Sequence, residues 1–204
     1  MTVANDYRHV GHVRYTVTFL EMASPPGRPP PPTPAQRLAL LKADQVPQDY
    51  YLYLFRQVGQ PWLWSGRLTW PGEKLDHWLA DANLDLLVLY LNGWPAGFAE
   101  LYTATHSGTC NIEYFGLVPE AIGRGLGAYF LDTVVDLCWS ARPGRPTPEK
   151  VTVNTCDHDH PRALATYQRA GFTPTRREVQ TKPDPRLIGL YPIEAAPHIP
   201  IGTL

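Results

Sequence analysis

Alternating apolar and polar residues mark the first strand and the clearest hairpin of the chain. The run HVRYTVTFLEM, at residues 12–22, alternates and is rich in β-forming residues, which predicts a strand. Two further β-rich runs, LDLLVLYL and WPAGFAELYTA, flank Asn92 and Gly93, a pair preferred in tight hairpin turns. The following run, TCNIEYFGLV, predicts another antiparallel strand.

Helical spacing appears in other segments. PQDYYLYLFRQVG fits a helix closed by Gly59, although its β-forming residues leave a strand open, and PGEKLDHWLAD predicts a second helix. DHPRALATYQRAGF predicts a last helix, capped by Asp159 and ended by Gly171. The intervening helix is predicted by one apolar face, formed by Leu126, Phe130, Val134, Leu137 and Cys138.

The remaining segments are a short strand, a final strand and two proline-rich stretches. KVTVNTC predicts a buried strand, and the final strand should run from Phe172 to about Gln180. SPPGRPPPPTP, from Ser24 to Pro34, can form neither a helix nor a strand ladder, so we expect an exposed loop, with a docking site for a proline-binding module as the alternative. The proline-rich tail from about residue 183 should pack irregularly.

Composition narrows the class of protein. The 204 residues are 44% hydrophobic and 18% charged, which suits one folded domain spanning residues 1–204. A net charge of −1 argues against nucleic acid or an anionic membrane as the partner. There is no signal-like apolar run and no stretch long enough to span a bilayer, and the three cysteines cannot all pair. We therefore expect a cytoplasmic protein, monomeric or homodimeric.

The stretch PEAIGRGLGAYFL raises a chemical question, because three glycines alternate where a helix begins. Glycines let an anion reach the unpaired N–H groups of the first helical turn, and Arg124 adds a positive charge, so a pyrophosphate is a natural ligand. The Gly-Lys-Ser/Thr ending of a Walker loop is missing. A dinucleotide fingerprint at Gly123, Gly125 and Ala128, with Asp157 as its acid, remains open, as does a helix start without a ligand.

Two motifs resemble those of the GNAT superfamily of N-acetyltransferases. In LVPEAIGRGLGAYFL, the positions of the family's acetyl-CoA loop fall on Leu117, Pro119, Ile122, Gly125 and Gly127. In HPRALATYQRAGF, the positions of its second signature fall on Ala163, Tyr167, Gly171 and Phe172. The two motifs stand in the family's order, and with the preceding hairpin the resemblance covers about residues 84–178.

The resemblance implies an α/β fold of the α+β type. We expect a mixed, mostly antiparallel sheet of about six or seven strands, flanked by about four helices and splayed in a V between the fourth and fifth strands. Acetyl-CoA would be the co-substrate, without a metal. Its pyrophosphate would lie on Gly123, Arg124, Gly125, Leu126, Gly127 and Ala128, and its pantetheine on backbone groups near Phe115, Leu117 and Val118 and beside His160.

Two positions depart from the family's pattern. Ile122 replaces the usual Arg or Gln of the loop, so either Arg124 supplies the corresponding bond to the phosphate or that bond is absent. His160 replaces the usual Asn near the pantetheine arm. Neither change removes the backbone N–H groups on which the phosphate site depends.

The resemblance also implies catalytic roles. Tyr167 matches the position of the acid that protonates the leaving thiolate, with simple packing in the helix as the alternative. Glu113 is the candidate base for the amine, expected by strand alternation on the same face as Phe115 and Leu117, with an ordinary exposed strand residue as the alternative. Glu100 on the preceding strand is a rival base and a candidate substrate contact.

The acceptor is predicted to be a primary amine of unknown identity. The segment VGQPWLWSGRLTW would wall the acceptor site, with Trp62, Trp64 and Trp70 as aromatic contacts and Arg67 available for a carboxylate. The alternative is that the tryptophans only pack the helices. A metal site at Cys156, His158 and His160, or an acyl-carrying Cys156, is less consistent with the motifs. Two other functions remain open: a non-catalytic acyl-CoA sensor and a nicotinamide-dependent oxidoreductase.

Overall fold

The computed structural model describes residue 7, residues 9–141 and residues 147–204, apart from the side chain of Thr105. The elements, in chain order, are β1 His12–Met22, β2 Leu38–Ala43, α1 Gln48–Gly59, α2 Gly72–Leu79, β3 Leu84–Leu91, β4 Trp94–Ala104, β5 Thr109–Leu117, α3 Leu126–Trp139, β6 Lys150–Cys156, α4 Ala163–Arg169 and β7 Thr173–Pro183. Short 3₁₀ turns occupy Gln60–Trp62, Thr105–Ser107 and Pro119–Ala121.

The seven strands form one mixed sheet in the order β2-β3-β4-β5-β6-β1-β7. Among the described residues, β5 and β6 form the one parallel pair, and all other neighbours are antiparallel. The predicted mixed, mostly antiparallel sheet is therefore confirmed. The first strand of the chain lies between β6 and β7 and pairs with both, so the N-terminal strand completes the far half of the sheet.

Helices cover both faces of the sheet. On one face, α3 and α4 pack Phe130, Leu131 and Tyr167 against strand residues such as Leu101 and Ile112. On the other face, α1 and α2 bury residues of both helices with Phe98 of β4 in a second core. These two apolar layers hold the central strands from both sides, and this fixes the directions in which their polar side chains point.

The local signals of the sequence produce the expected elements. Asn92 and Gly93 adopt positive φ angles of 52° and 92°, as a tight hairpin turn requires. PQDYYLYLFRQVG forms α1, which resolves the choice between helix and strand in favour of the helix. No element was predicted for Leu38–Ala43, whose leucines and lysine do not favour strands, and pairing with β3 imposes the strand β2 there.

The proline-rich segments lie against the folded chain. No helix or strand forms between Ser24 and Pro34, as predicted, but Arg28 of this segment bridges Asp132 and Asp136 of α3 at 3.2 and 3.3 Å. The tail after β7 is held by a buried pair, in which the Arg186 guanidinium bonds both oxygens of Asp184. Arg186 also donates to the carbonyls of Ala195, Ala196, Ile199 and Pro200.

None of the helices in the described part of the chain combines the length and the apolar character needed to cross a membrane.

Candidate active site

A V-shaped opening divides the sheet between β5 and β6. The two strands pair only from Thr109 with Lys150 to Ile112 with Val153. Beyond this point β5 continues along β4 as far as Leu117, but no strand in the described chain pairs with its other edge. We call the opening between residues 113–117 of β5 and 154–156 of β6 the cleft. This opening is the V-shaped splay predicted between the fourth and fifth strands. Because β2 was not predicted, these two strands are β5 and β6 of the structure.

Backbone groups of β5 point into the cleft. The N–H of Val118 donates to the carbonyl of Ala96 at 2.9 Å, which continues the antiparallel ladder with β4. Because an antiparallel ladder uses alternate residues, Val118, Gly116 and Tyr114 bond toward β4. Phe115 and Leu117 therefore direct their N–H and C=O groups toward the cleft. The N–H of Val118 is already bonded to Ala96 and does not face the cleft.

The glycine loop at the start of α3 forms an open cradle. Gly123 and Gly125 have φ angles of +80° and +77°, and a Cβ built on either would have no atom within 4 Å. Gly125 is the N-cap of α3, and no side chain caps the helix, so the first N–H groups of Leu126, Gly127 and Ala128 are available to an anion. These features fit a pyrophosphate.

The neighbours of the cradle lie at its rim. The Arg124 side chain is exposed and its Nε donates to the carbonyl of Glu120 at 2.7 Å, which keeps the guanidinium beside the loop. Ile122, the residue that departs from the family's pattern, is 36% exposed. A Cβ on Gly127 would make only an ordinary contact with Leu117, at 3.8 Å. The cradle thus adjoins the end of β5 that borders the cleft.

A β-bulge at Glu113 breaks the alternation of side chains along β5. Leu101 of β4 pairs with Ile112, and Glu100 pairs with Tyr114, so Glu113 is an extra residue in β5. Its side chain bonds Asn111 and Arg67 on the face covered by α1 and α2. Phe115 instead packs in the core under α3 and α4. The expected shared face for Glu113 and Phe115 is therefore wrong, because simple alternation does not hold across a bulge.

Glu113 is held at both carboxylate oxygens and remains accessible. Asn111 donates its amide N–H to Oε1 at 2.6 Å, and Arg67 donates from Nη2 to Oε2 at 3.3 Å. The Glu113 side chain is 26% exposed. A carboxylate with a fixed orientation and an open side can accept a proton from a molecule bound beside it. Asn111 was not predicted, although its place two residues before Glu113 on the same strand is the signal that could have found it.

Glu100 is fully enclosed beneath Glu113. Its Oε1 accepts from Arg67 Nε at 3.2 Å, Arg67 Nη2 at 2.6 Å and Trp78 Nε1 at 2.8 Å, and its Oε2 accepts from the Tyr51 hydroxyl. Burial raises the pKa of Glu100, and Arg67 and the donated hydrogen bonds oppose that rise. Because three N–H groups converge on one oxygen, Glu100 is held as the carboxylate. With no exposed surface, Glu100 cannot touch a substrate directly in this conformation.

Arg67 links the two carboxylates. Burial by itself would lower the pKa of Arg67, but Glu100 beside it outweighs this effect and raises it. The guanidinium carbon lies 4.0 Å from the ring centre of Trp70, 4.7 Å from Trp78 and 5.0 Å from Tyr114. Arg67 is thus already paired with two carboxylates of the protein and covered by aromatic rings.

Tyr167 lies on the opposite face of the sheet and packs against Phe115, which borders the cleft. It lies on α4, with its ring edge-to-face with Phe115 at 6.3 Å and Phe172 at 6.0 Å. Its hydroxyl makes no hydrogen bond within the described part of the chain. Burial, with a contribution from Asp159, raises its pKa above the usual value, so the phenol keeps its proton at neutral pH. Tyr167 and Glu113 therefore lie on opposite faces of the sheet.

The segment between α1 and α2 covers the cleft on the Glu113 face. Trp64 donates from Nε1 to Asp159 at 3.1 Å, and its carbonyl accepts from the Tyr191 hydroxyl at 2.6 Å. Lys182 donates to the carbonyl of the preceding Leu63 at 2.6 Å. Asp159 otherwise bonds Thr155 and the N–H of Cys156, so the prediction that it caps α4 is wrong.

Trp62 and His160 meet at the open end of the cleft. The Trp62 ring lies edge-on to His160 and to His198, each at 5.7 Å. The N–H of Arg162 donates to Nδ1 of His160 at 3.1 Å, which fixes the imidazole at the start of α4. Beside them, a groove of about 320 Å³ runs between the end of α1, Pro119 and the tail. Trp62, Trp64 and His160 are thus brought together around one opening.

Cys156 differs from a reactive cysteine. Burial, with Asp159 next, raises the pKa of its thiol to about 12, so it stays protonated and weakly nucleophilic. Within the described residues no cluster of His, Cys, Asp and Glu is arranged to hold a metal ion.

A sheet split beside a glycine cradle at a helix start is the architecture expected of N-acetyltransferases. Residues 48–172, more than half of the chain, match the family described as the Acetyltransferase (GNAT) family, and the chain belongs to that family. No curated protein matches the chain.

Solved structures share the fold at low sequence identity. A GCN5-related N-acetyltransferase from Sphaerobacter thermophilus has a TM-score of 0.56 at 17% identity, over 85% of this chain and 53% of its own. A tandem GNAT protein from the clavulanic acid biosynthesis pathway has a TM-score of 0.58 at 15% identity, over 85% and 55%. A functionally unknown conserved protein from Staphylococcus epidermidis ATCC 12228 has a TM-score of 0.54 at 15% identity, over 87% and 65%. The chain spans between 53% and 65% of the length of these structures.

Proposed function

We propose that this protein transfers an acetyl group from acetyl-CoA directly to a primary amine. The observation that carries this proposal is the cleft, which has free backbone groups of β5 on its wall, a carboxylate on one face and a protonated phenol on the other. Family membership supplies the reaction class.

The protein side of cofactor binding follows from the backbone. The N–H groups from Gly123 to Ala128 hold the pyrophosphate, and Arg124 at the rim provides the charged side chain that Ile122 does not. The free groups of Phe115 and Leu117 hold the pantetheine amides as an added strand would. Val118 contributes apolar surface, and His160 borders the arm from the α4 side.

Glu113 and Tyr167 divide the proton transfers. The bound thioester supplies an activated acetyl group. Glu113 takes a proton from the ammonium, directly or through one water, so that the nitrogen lone pair can attack the carbonyl carbon. The N–H of Phe115 faces the carbonyl oxygen and stabilises the charge that develops there. As the C–S bond breaks, Tyr167 gives its proton to the departing sulfur. The nitrogen, now bonded to the acetyl carbon, loses its second proton, which restores the phenol, and the proton on Glu113 passes to solvent.

Aromatic side chains form the acceptor wall. Trp62 and Trp64 lie at the opening on the Glu113 face, and Arg67 and Glu100 act from beneath by holding Glu113. In this role Arg67 and Glu100 contribute to substrate binding through the charge and position of Glu113. The tryptophans also pack the segment between α1 and α2, so packing and substrate contact are compatible.

Release of CoA thiol in the presence of a panel of primary amines tests the proposal. We expect thiol release to depend on the amine, with an acetylated product detected by mass spectrometry. Binding of acetyl-CoA without thiol release for any amine would instead identify a non-catalytic sensor.

Thermal unfolding separates the nicotinamide alternative. Acetyl-CoA at a hundredfold excess over Kd should stabilise the protein by about 2.7 kcal/mol, and NAD should have no effect. Stabilisation by NAD and none by acetyl-CoA would overturn the assignment of the cradle.

A further inference from the structure

The charges around Glu113 do not balance. Arg67 carries one positive charge, while Glu100 and Glu113 each carry one negative charge, and all three are linked by hydrogen bonds. The side chains of Glu100 and Arg67 are 0% and 7% exposed, whereas that of Glu113 is 26% exposed. The excess negative charge of this cluster is therefore presented to a ligand at Glu113.

Arg67 cannot turn toward a ligand without breaking its own pairs. Its Nε and Nη2 are committed to Glu100, and Nη2 also reaches Glu113. The rings of Trp70, Trp78 and Tyr114 lie within 5.0 Å of its guanidinium carbon. Releasing it would leave Glu100 as an uncompensated buried carboxylate, which is strongly unfavourable.

The surroundings of this cluster also suit a cation. Trp78 stacks on Tyr102 with ring centres 4.8 Å apart, and Tyr102 lies opposite Asn111 in the sheet, beside Glu113. The Tyr102 hydroxyl donates to a further carboxylate, Asp81, at 3.4 Å. Aromatic faces and carboxylates both favour an ammonium group.

A nearby lysine, Lys74, contacts one of the rings that cover Arg67. Lys74 lies 4.0 Å from the ring centre of Trp70, the same distance as the Arg67 guanidinium. Because two cations on one face of the ring would repel each other, the Lys74 ammonium is expected on the face turned away from Arg67. The lysine side chain is exposed, and water screens its charge further.

We infer that the acceptor is a cationic amine without a carboxylate on the carbon that bears the amino group. This inference rests on the proposed function, with Glu113 facing the reacting amine. A carboxylate on that carbon would be brought within several ångströms of Glu113 and Glu100, and their negative charges would repel it. The cluster has no free cation that could pair with it. Simple alkyl and arylalkyl amines are thus preferred over free amino acids.

Matched pairs of acceptors isolate the carboxylate. Tyramine and tyrosine differ only in this group, as do agmatine and arginine. With saturating acetyl-CoA, we expect kcat/KM from thiol release to be at least about tenfold higher for the amine of each pair. The ratio should fall when salt is raised from about 0.1 M to about 1 M, because the screening length shortens from about 10 Å to about 3 Å.

A charge-removing variant provides the control. Glu100→Gln keeps the shape, its amide oxygen can still accept from Arg67 and Trp78, and its amide N–H can donate to the Tyr51 hydroxyl. It leaves Arg67 and Glu113 as a neutral pair, so the preference for tyramine over tyrosine should shrink several-fold. If this variant does not fold, the salt dependence of the unaltered protein still decides the point.

The outcomes separate the two proposals. Equal or faster turnover of tyrosine and arginine would overturn this inference and leave the acetyltransferase proposal standing. A ratio of kcat/KM values that does not change with salt would show that shape, not charge, sets the preference. That result would also overturn this inference. Retained acetyl-CoA binding with no turnover of any amine would overturn both.

Discussion

Replacement of Tyr167 by Phe tests the division of roles across the cleft. The variant keeps the ring contacts with Phe115 and Phe172 and removes only the hydroxyl. Because that hydroxyl makes no hydrogen bond within the described residues, no partner is left unsatisfied, and stability should change by less than about 1 kcal/mol. Removal of a general acid should lower kcat by about 10²–10⁴-fold, equivalent to about 2.7–5.5 kcal/mol of transition-state stabilisation.

The assay is steady-state thiol release with acetyl-CoA and the best amine of the panel, beside urea unfolding of both proteins. KM for acetyl-CoA should change little, because the cradle holds most of the cofactor. Burial raises the pKa of Tyr167, so the phenol stays protonated and should produce no loss of activity below about pH 10. Full kcat in the Phe variant across the pH range would refute the role of Tyr167 as the acid.

Tyr50→Phe is the matched control. The hydroxyl of Tyr50, on α1, bonds the hydroxyl of Tyr90, on β3, at 2.8 Å. In the sheet, β4 separates β3 from β5, the strand that borders the cleft. Loss of this bond should reduce the free energy of unfolding by about 1 kcal/mol while kcat is unchanged. The two variants should therefore show opposite signatures, one in turnover and the other in stability.

Two further predictions concern the cradle and the tail. Gly125→Ala should weaken acetyl-CoA binding, measured by calorimetry, whereas Gly189→Ala should not. The two glycines have similar φ angles (+77° and +75°) and open surroundings, so both variants should lose about 1–2 kcal/mol of stability from backbone strain. Equal affinities of the two variants for acetyl-CoA would show that the loop is not the cradle. Burial alone would raise the pKa of Asp184, but hydrogen bonds from Arg186 and the N–H of Gly202 outweigh it and hold the pKa below its usual value. The contribution of Asp184 is therefore present above its unfolded pKa of about 3.9 and is lost as the pH falls through its lower folded value. Asp184→Asn should destabilise the protein by about 3–5 kcal/mol at pH 7 and flatten the acid side of a stability–pH curve; an unchanged curve would contradict this assignment.

The elements that could be predicted from the sequence are those with strong local signals. Positive φ at Gly93, Gly123 and Gly125 follows from residue type, because glycine adopts this conformation without steric cost. The alternation in β1 and the apolar face of α3 likewise specify a strand and a helix before any partner is present. Tyr167 and the glycine loop could be named as candidates from the sequence because the residues of each motif lie close together in the chain.

Tertiary contacts decided the features that depend on distant residues. The sequence alone identifies His12–Met22 as a strand but not its place between β6 and β7, which long-range pairing determines. The bulge at Glu113 arises from register with β4, and it puts Glu113 and Phe115 on opposite faces of the sheet. Asp159 is a typical helix cap by residue type, yet Trp64, 95 residues away in the chain, takes one of its oxygens. Local propensity sets which elements form. Packing and register set which side chains meet, because the energies of packing and strand pairing exist only between segments that the fold brings together.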